Sequence, residues 1–146
     1  MTANSSEELV RHFNAGLDAL ERHDIEGFMA ELEASLDPDI EFVSIIGSAV
    51  EGSPYLGPDG VKQWFNNLLG TTEHVRWTDR QTRVLDDRTI LFLATFEIQG
   101  AASGAKVTTE VGTVFEIEEG RVRRAQTYGS HRDAAAAAES LVGHSA

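Results

Sequence analysis

Glu97 stands in the run Phe92-Leu93-Ala94-Thr95-Phe96-Glu97-Ile98 and is the acid that most needs explaining. A carboxyl group enclosed by apolar side chains is held toward its neutral form. Near neutral pH it can then act as a general acid or base. Phe92, Phe96 and Phe115 are the side chains that would enclose it. If it faces water instead, Glu97 pairs across strands with an arginine such as Arg83 or Arg124 and does no chemistry. Tyr128 offers a phenolic proton, or serves as a core tyrosine. His74 opens a strand and is the histidine best placed for proton transfer. Glu97, Tyr128 and His74 form the candidate catalytic set. Tyr55, in a loop that could close over a pocket, has a hydroxyl suited to a ligand carbonyl. Trp64, Trp77, Gln126 and Phe115 complete the candidate binding set, each with a plain packing role as its alternative.

Other chemistries lack a signal. His12, His23, His74, His131 and His144 show no helix-face metal spacing, and there is no His-x-His. No metal site is expected. The chain has no cysteine, which excludes disulfides and thiolate ligands. No glycine-rich phosphate loop or nucleophile elbow occurs, so no cofactor is expected. With 24 acids against 12 bases the formal net charge is −12. Nucleic acid and anionic membranes are therefore poor partners. The N-terminal residues lack a basic flank and an apolar stretch, so no signal peptide is expected and cytoplasmic residence is the default.

The elements that would position these residues are readable from periodicity. The 146 residues suit one domain, 1–146, with an ordered core over about 6–142. Leu9, Val10, Phe13, Leu17 and Leu20 share one face of a helix over 7–22. Asp24 caps a second helix carrying Ile25, Phe28, Met29, Leu32 and Leu36, which Asp37-Pro38-Asp39 stops. A short strand over 40–46 and a loop over 47–57 follow. Pro58 opens a third helix, with Val61, Trp64, Phe65, Leu68 and Leu69 inward. Strands are expected over 74–85, 89–99, 106–118 and 121–128, with a hairpin loop at 100–104. Val107, Thr109, Val111, Thr113, Phe115 and Ile117 share one face of the third of these. Simple alternation also puts Val122, Arg124, Gln126 and Tyr128 on one face. An alanine-rich helix over 132–141 closes the chain. The order implies an α+β fold: a cone-shaped, curved antiparallel sheet wrapped over three N-terminal helices, with a short C-terminal helix and a cavity at the wide end.

The stretches His23-Asp24-Ile25-Glu26-Gly27-Phe28, Leu36-Asp37-Pro38-Asp39-Ile40-Glu41-Phe42, Tyr55-Leu56-Gly57-Pro58-Asp59-Gly60-Val61, Ala102-Ser103-Gly104 and Val114 to Val122 with Tyr128 carry a resemblance. Together they resemble the SnoaL-like branch of the nuclear-transport-factor-2-like superfamily, which includes ketosteroid isomerases, polyketide cyclases, scytalone dehydratase and limonene epoxide hydrolase. Carried over by spacing, the isomerase base falls on Ser44, its helix tyrosine on Gly16 and its oxyanion-hole acid near Gly112. None of the three keeps the required group. Nor does the last strand offer the acid that the cyclases and epoxide hydrolases place there.

The resemblance implies a small cofactor-free enzyme of lyase, isomerase or cyclase type acting on an apolar ketone, polyketide or steroid-like molecule. The alternative is a non-catalytic protein of the same fold that binds a small hydrophobic ligand. A third reading is an interaction module. A homodimer through the outer sheet face is expected, with Thr78, Thr82, Thr108, Val114, Ala125 and Thr127 pointing outward.

Overall fold

The structure, a computed structural model, describes residues 6–44, 55–100, 102 and 104–144. The first apolar stripe forms α1, Ser6–Glu21, which buries Leu9, Leu17 and Leu20. It ends in a left-handed residue, His23 (φ 58°). There Asp24 N–H donates to the Ala19 carbonyl and His23 N–H to that of Leu20, each at 2.9 Å. This bond pair satisfies carbonyls that a helix end leaves free. Asp24 then caps α2, Ile25–Leu32, by accepting from Gly27 N–H at 2.9 Å.

Leu36 was expected to continue that helix. It opens strand β1, Leu36–Ser44, after a short 3₁₀ turn, Glu33–Ser35. The cause is Pro38, whose ring excludes helix for the residue before it and clashes with the carbonyl four residues back. The two-residue strand β2, Tyr55–Leu56, falls where a loop was expected, and α3 runs Gly57–Thr71 with Pro58 in its first turn. Residues 45–54 of the expected strand end and loop, and 101 and 103 of the hairpin loop, lie outside the described residues. The long strands are β3, Thr72–Asp86, β4, Thr89–Gly100, β5, Lys106–Glu118, and β6, Arg121–Tyr128. Helix α4, His131–His144, follows. Among the described residues no helix is long and apolar enough to cross a membrane.

The strands form one sheet in the order β2-β1-β6-β5-β4-β3. It is mixed rather than wholly antiparallel, because β1 pairs with β6 in parallel. A long connection separates those two strands, as parallel pairing requires. Helices α1 to α3 cover one face, with the main apolar core between them and the sheet. Helix α4 lies on the other face. There Ala134 and Ala138 pack with Leu91, Leu93 and Val114 as a second cluster.

Two irregularities set which side chains meet the core. In β3, Thr78 pairs with Thr95 but Gln81 pairs with Leu93, so β3 carries one extra residue near Asp79 (φ 52°). In β6, Ile117 faces Val122 while Glu116 faces Arg124, so Arg123 is the extra residue. Each bulge bends its strand and reverses the alternation beyond it. Glu119 (φ 53°) and Gly120 (φ 75°) make the tight β5–β6 turn, both left-handed as a two-residue hairpin prefers.

The outer face is only partly as expected. Val114 points outward but lies under α4, whereas Thr82, Ala125 and Thr127 face the core side. Gly112 is the notch that seats α4: a Cβ there would collide with that of Ala134 and come within 3.1 Å of Leu93 Cδ2. Gly112→Ala should therefore force α4 off the sheet and cost about 1–3 kcal/mol. The urea midpoint reads this; an unchanged midpoint would mean that α4 is not held against this notch.

Candidate functional site

Between α1–α3 and the sheet lies a cavity of about 90 Å³. From α1 come Leu9, Val10, Phe13 and Leu17; from α2, Phe28 and Leu32; from α3, Val61, Trp64 and Phe65. The sheet contributes Ile40 and Phe42 of β1, Trp77 of β3, Phe92 and Phe96 of β4, and Val111 and Phe115 of β5. Phe13 stands edge-on to both Phe92 and Phe115, with ring centres 4.9 and 4.8 Å away. Trp64 packs against Phe42 at 5.3 Å and Phe65 at 4.8 Å, and Trp77 lies 5.1 Å from Phe96. Such ring pairs add stability beyond their buried area and have few rotamers to change.

Polar atoms are few. Thr113 and Thr127 sit opposite each other on β5 and β6 with their hydroxyl oxygens 3.2 Å apart. Thr82 and Ser35 are the other hydroxyls in the wall among the described residues. No Asp, Glu, His, Lys or Arg among the described residues lines the cavity. Among the described residues no cluster of three or more His, Asp or Glu could hold a metal ion.

Of the expected binding residues, Trp64, Trp77 and Phe115 line this cavity. Glu97 does not. Along β4, Phe92 and Phe96 face the cavity, so Glu97 shares the opposite face with Leu91 and Leu93, the latter two under α4. It is paired with Lys106 Nζ at 3.3 Å rather than with Arg83 or Arg124. Its apolar neighbours in sequence are thus not its neighbours in space.

Tyr128 and Gln126 also lie on the outer face. The bulge at Arg123 separates Val122, which lines the cavity, from Arg124, Gln126 and Tyr128, which flank a recess beside α4 with Glu116, Ser140 and Leu141. Arg124 and Glu116 form an ion pair there at 3.3 Å. His74 is exposed at the start of β3, and Glu41 is exposed on β1. Tyr55 is half-buried, pairs with Phe42 and packs on the core, but does not reach the cavity wall. The expected catalytic set is therefore not assembled in the cavity.

The positions carried over from the isomerases fare unevenly. Ser44 pairs with Thr127 and continues the strand of Ile40 and Phe42. Gly16 meets α2, where a Cβ would lie 3.1 Å from Phe28 Cδ1. Gly112 faces α4, and its neighbours Val111 and Thr113 hold the cavity side. No binding role was assigned from the sequence to Ser35, Thr82, Thr113 or Thr127. The even alternation of β5 does place Thr113 beside Phe115. A serine inside an expected helix, and two threonines read as outward, offered no such signal.

A sequence profile of the SnoaL-like domain matches residues 10–125. The chain belongs to this family. Several solved structures share its fold. An isomerase candidate from Bacillus subtilis superposes with a TM-score of 0.69 at 13% identity, covering 84% of this chain and 86% of that one. A polyketide cyclase candidate from Pseudomonas putida gives 0.65 at 20% identity, over 91% and 95%. The protein TerC, co-crystallised with polyporic acid, gives 0.66 at 18% identity, over 90% and 98%. No curated protein matches the sequence significantly.

Burial pushes the Tyr128 phenol above its ordinary value of 10.0. Glu116 and Asp133 add to this, while Arg124 opposes it. A raised folded-state value means that the contribution of Tyr128 to stability is complete below the unfolded tyrosine value. It is lost as pH rises through the folded one. Of the two tyrosines, the one whose phenolate absorbance disappears in Tyr128→Phe should titrate above the ordinary value. A normal or early step would contradict this upward shift.

Proposed function

We propose that this protein binds a small, neutral, largely apolar molecule in the cavity between its helices and sheet. The observation that carries the reading is the wall itself, a lining of hydrocarbon and aromatic surface with no ionisable side chain among the described residues. Such a site gains affinity by removing apolar ligand surface from water, about 25 cal/mol per Å². A charged ligand would lose its hydration with no counter-charge in return.

Both tryptophans of the chain line the cavity. Saturable quenching or shift of their fluorescence on adding indane, a neutral two-ring hydrocarbon, is the expected result. Its affinity should stay flat between about pH 6 and 8.5, where histidines titrate. Ala125→Leu, which fills a wall position, should weaken binding at least about tenfold, because overpacking leaves the ligand no room. A site that ignores Ala125→Leu lies elsewhere.

Membership of the SnoaL-like family, and fold neighbours named as cyclase and isomerase candidates, favour a second reading: a cofactor-free cyclase or isomerase on an apolar ketone, polyketide or steroid-like molecule. The wall would then act by holding a reactive chain in one folded shape, with the Thr113–Thr127 hydroxyls oriented at it. A step or bell in the pH dependence of turnover, abolished by Glu97→Gln, Tyr128→Phe or His74→Ala, would favour acid–base catalysis. Our reading expects no such effect.

A homodimer through the outer sheet face not covered by α4, where Thr78 and Thr108 lie, belongs to the same proposal. Light scattering should return twice the chain mass of 15.9 kDa. The single-chain mass at working concentration would remove it.

A further inference from the structure

One fully buried hydroxyl in the cavity wall has no partner among the described residues. Ser35 is 2% exposed and lines the cavity. Its Oγ is, among the described residues, a buried side-chain oxygen that no donor or acceptor reaches. Three other buried hydroxyls are provided for. Thr113 and Thr127 bond each other at 3.2 Å, and Thr72 donates to the Leu68 carbonyl at 2.8 Å. An unpaired hydroxyl in apolar surroundings is disfavoured, and folded chains leave few of them.

Its place in the fold keeps it apart from the threonine pair. Ser35 ends the 3₁₀ turn, and its neighbour Leu36 pairs with Val122 at the start of β6. Thr127 lies on the order of 16 Å further along that strand. The hydroxyl pair of Thr113 and Thr127 is thus well separated from Ser35 in the cavity wall.

We infer that Ser35 is the polar anchor of the cavity, and that its occupant is a ring-sized apolar molecule carrying one ketone or hydroxyl oxygen against Ser35 Oγ. This rests on the binding reading above. A serine hydroxyl both donates and accepts, so it completes either group. It does not compensate a carboxylate or an ammonium, for which the described wall holds no opposite charge.

The test compares 1-indanone with indane, the same skeleton without the carbonyl, on wild type and Ser35→Ala by calorimetric titration. In the variant, 1-indanone should lose about tenfold in affinity, the factor that one hydrogen bond of about 1.4 kcal/mol supplies. Indane should stay within about twofold of its wild-type affinity, because a hydrocarbon makes no bond to lose. The ligand-free variant should melt no lower than wild type. An unchanged ratio of the two affinities overturns the anchor while leaving the binding reading in place. A lower melting temperature overturns it as well, by revealing a partner within the chain. If neither compound binds wild type, the binding reading fails and the anchor falls with it.

Discussion

The strand bulges decide what this protein can touch. Side chains alternate along a strand, so one extra residue moves every later side chain to the other face. At Asp79 the extra residue turns Thr82 toward the cavity, and at Arg123 it sends Gln126 and Tyr128 away from it. The first bulge is fixed by a charge cluster. Glu21 accepts from the Trp77 N–H at 2.8 Å, and Arg80 donates to the Trp77 carbonyl at 2.9 Å. The guanidinium of Arg80 also meets Glu21 and Asp18 at 3.0 Å each. Helix α1 is thereby tied to the edge strand, whose exposed backbone groups would otherwise invite pairing with another chain.

The cavity stays open for a related reason. Interiors pack to the density of organic crystals, so a hollow persists only where rigid walls cannot collapse into it. Phe13 is wedged between Phe92 and Phe115, while Phe42, Trp64 and Phe65 brace β1 against α3. The unfilled apolar volume carries an energetic cost. An occupant that recovers those contacts stabilises the fold by mass action.

Much of the frame was legible in the sequence. Strand β5 keeps a regular register with β4 throughout, so its alternation assigned Val111, Thr113, Phe115 and Ile117 correctly. Helices α1 to α3 followed from their apolar spacing, apart from the early stop of α2, and α4 from its alanine content. The site was less legible, for three physical reasons. A bulge is a single residue with no strong local signature, and the one at Arg123 misplaced Tyr128 and Gln126. Strand β4 is apolar on both faces because α4 covers its outer side, so hydrophobicity could not tell inside from outside at Glu97. An alanine helix has no pronounced apolar stripe, so its docking on the sheet, and the role of Gly112 as its seat, could not be read from pattern.

That second cluster changes how freely the chain can vary. Helix α4 and the outer residues of β4 and β5 hold the sheet from behind, without using any side chain of the cavity wall. The rear anchor and the cavity wall are thus carried by opposite faces of the same strands. Substitutions that reshape the hollow leave the rear attachment untouched, so the shape of the hollow can vary while the scaffold stays the same.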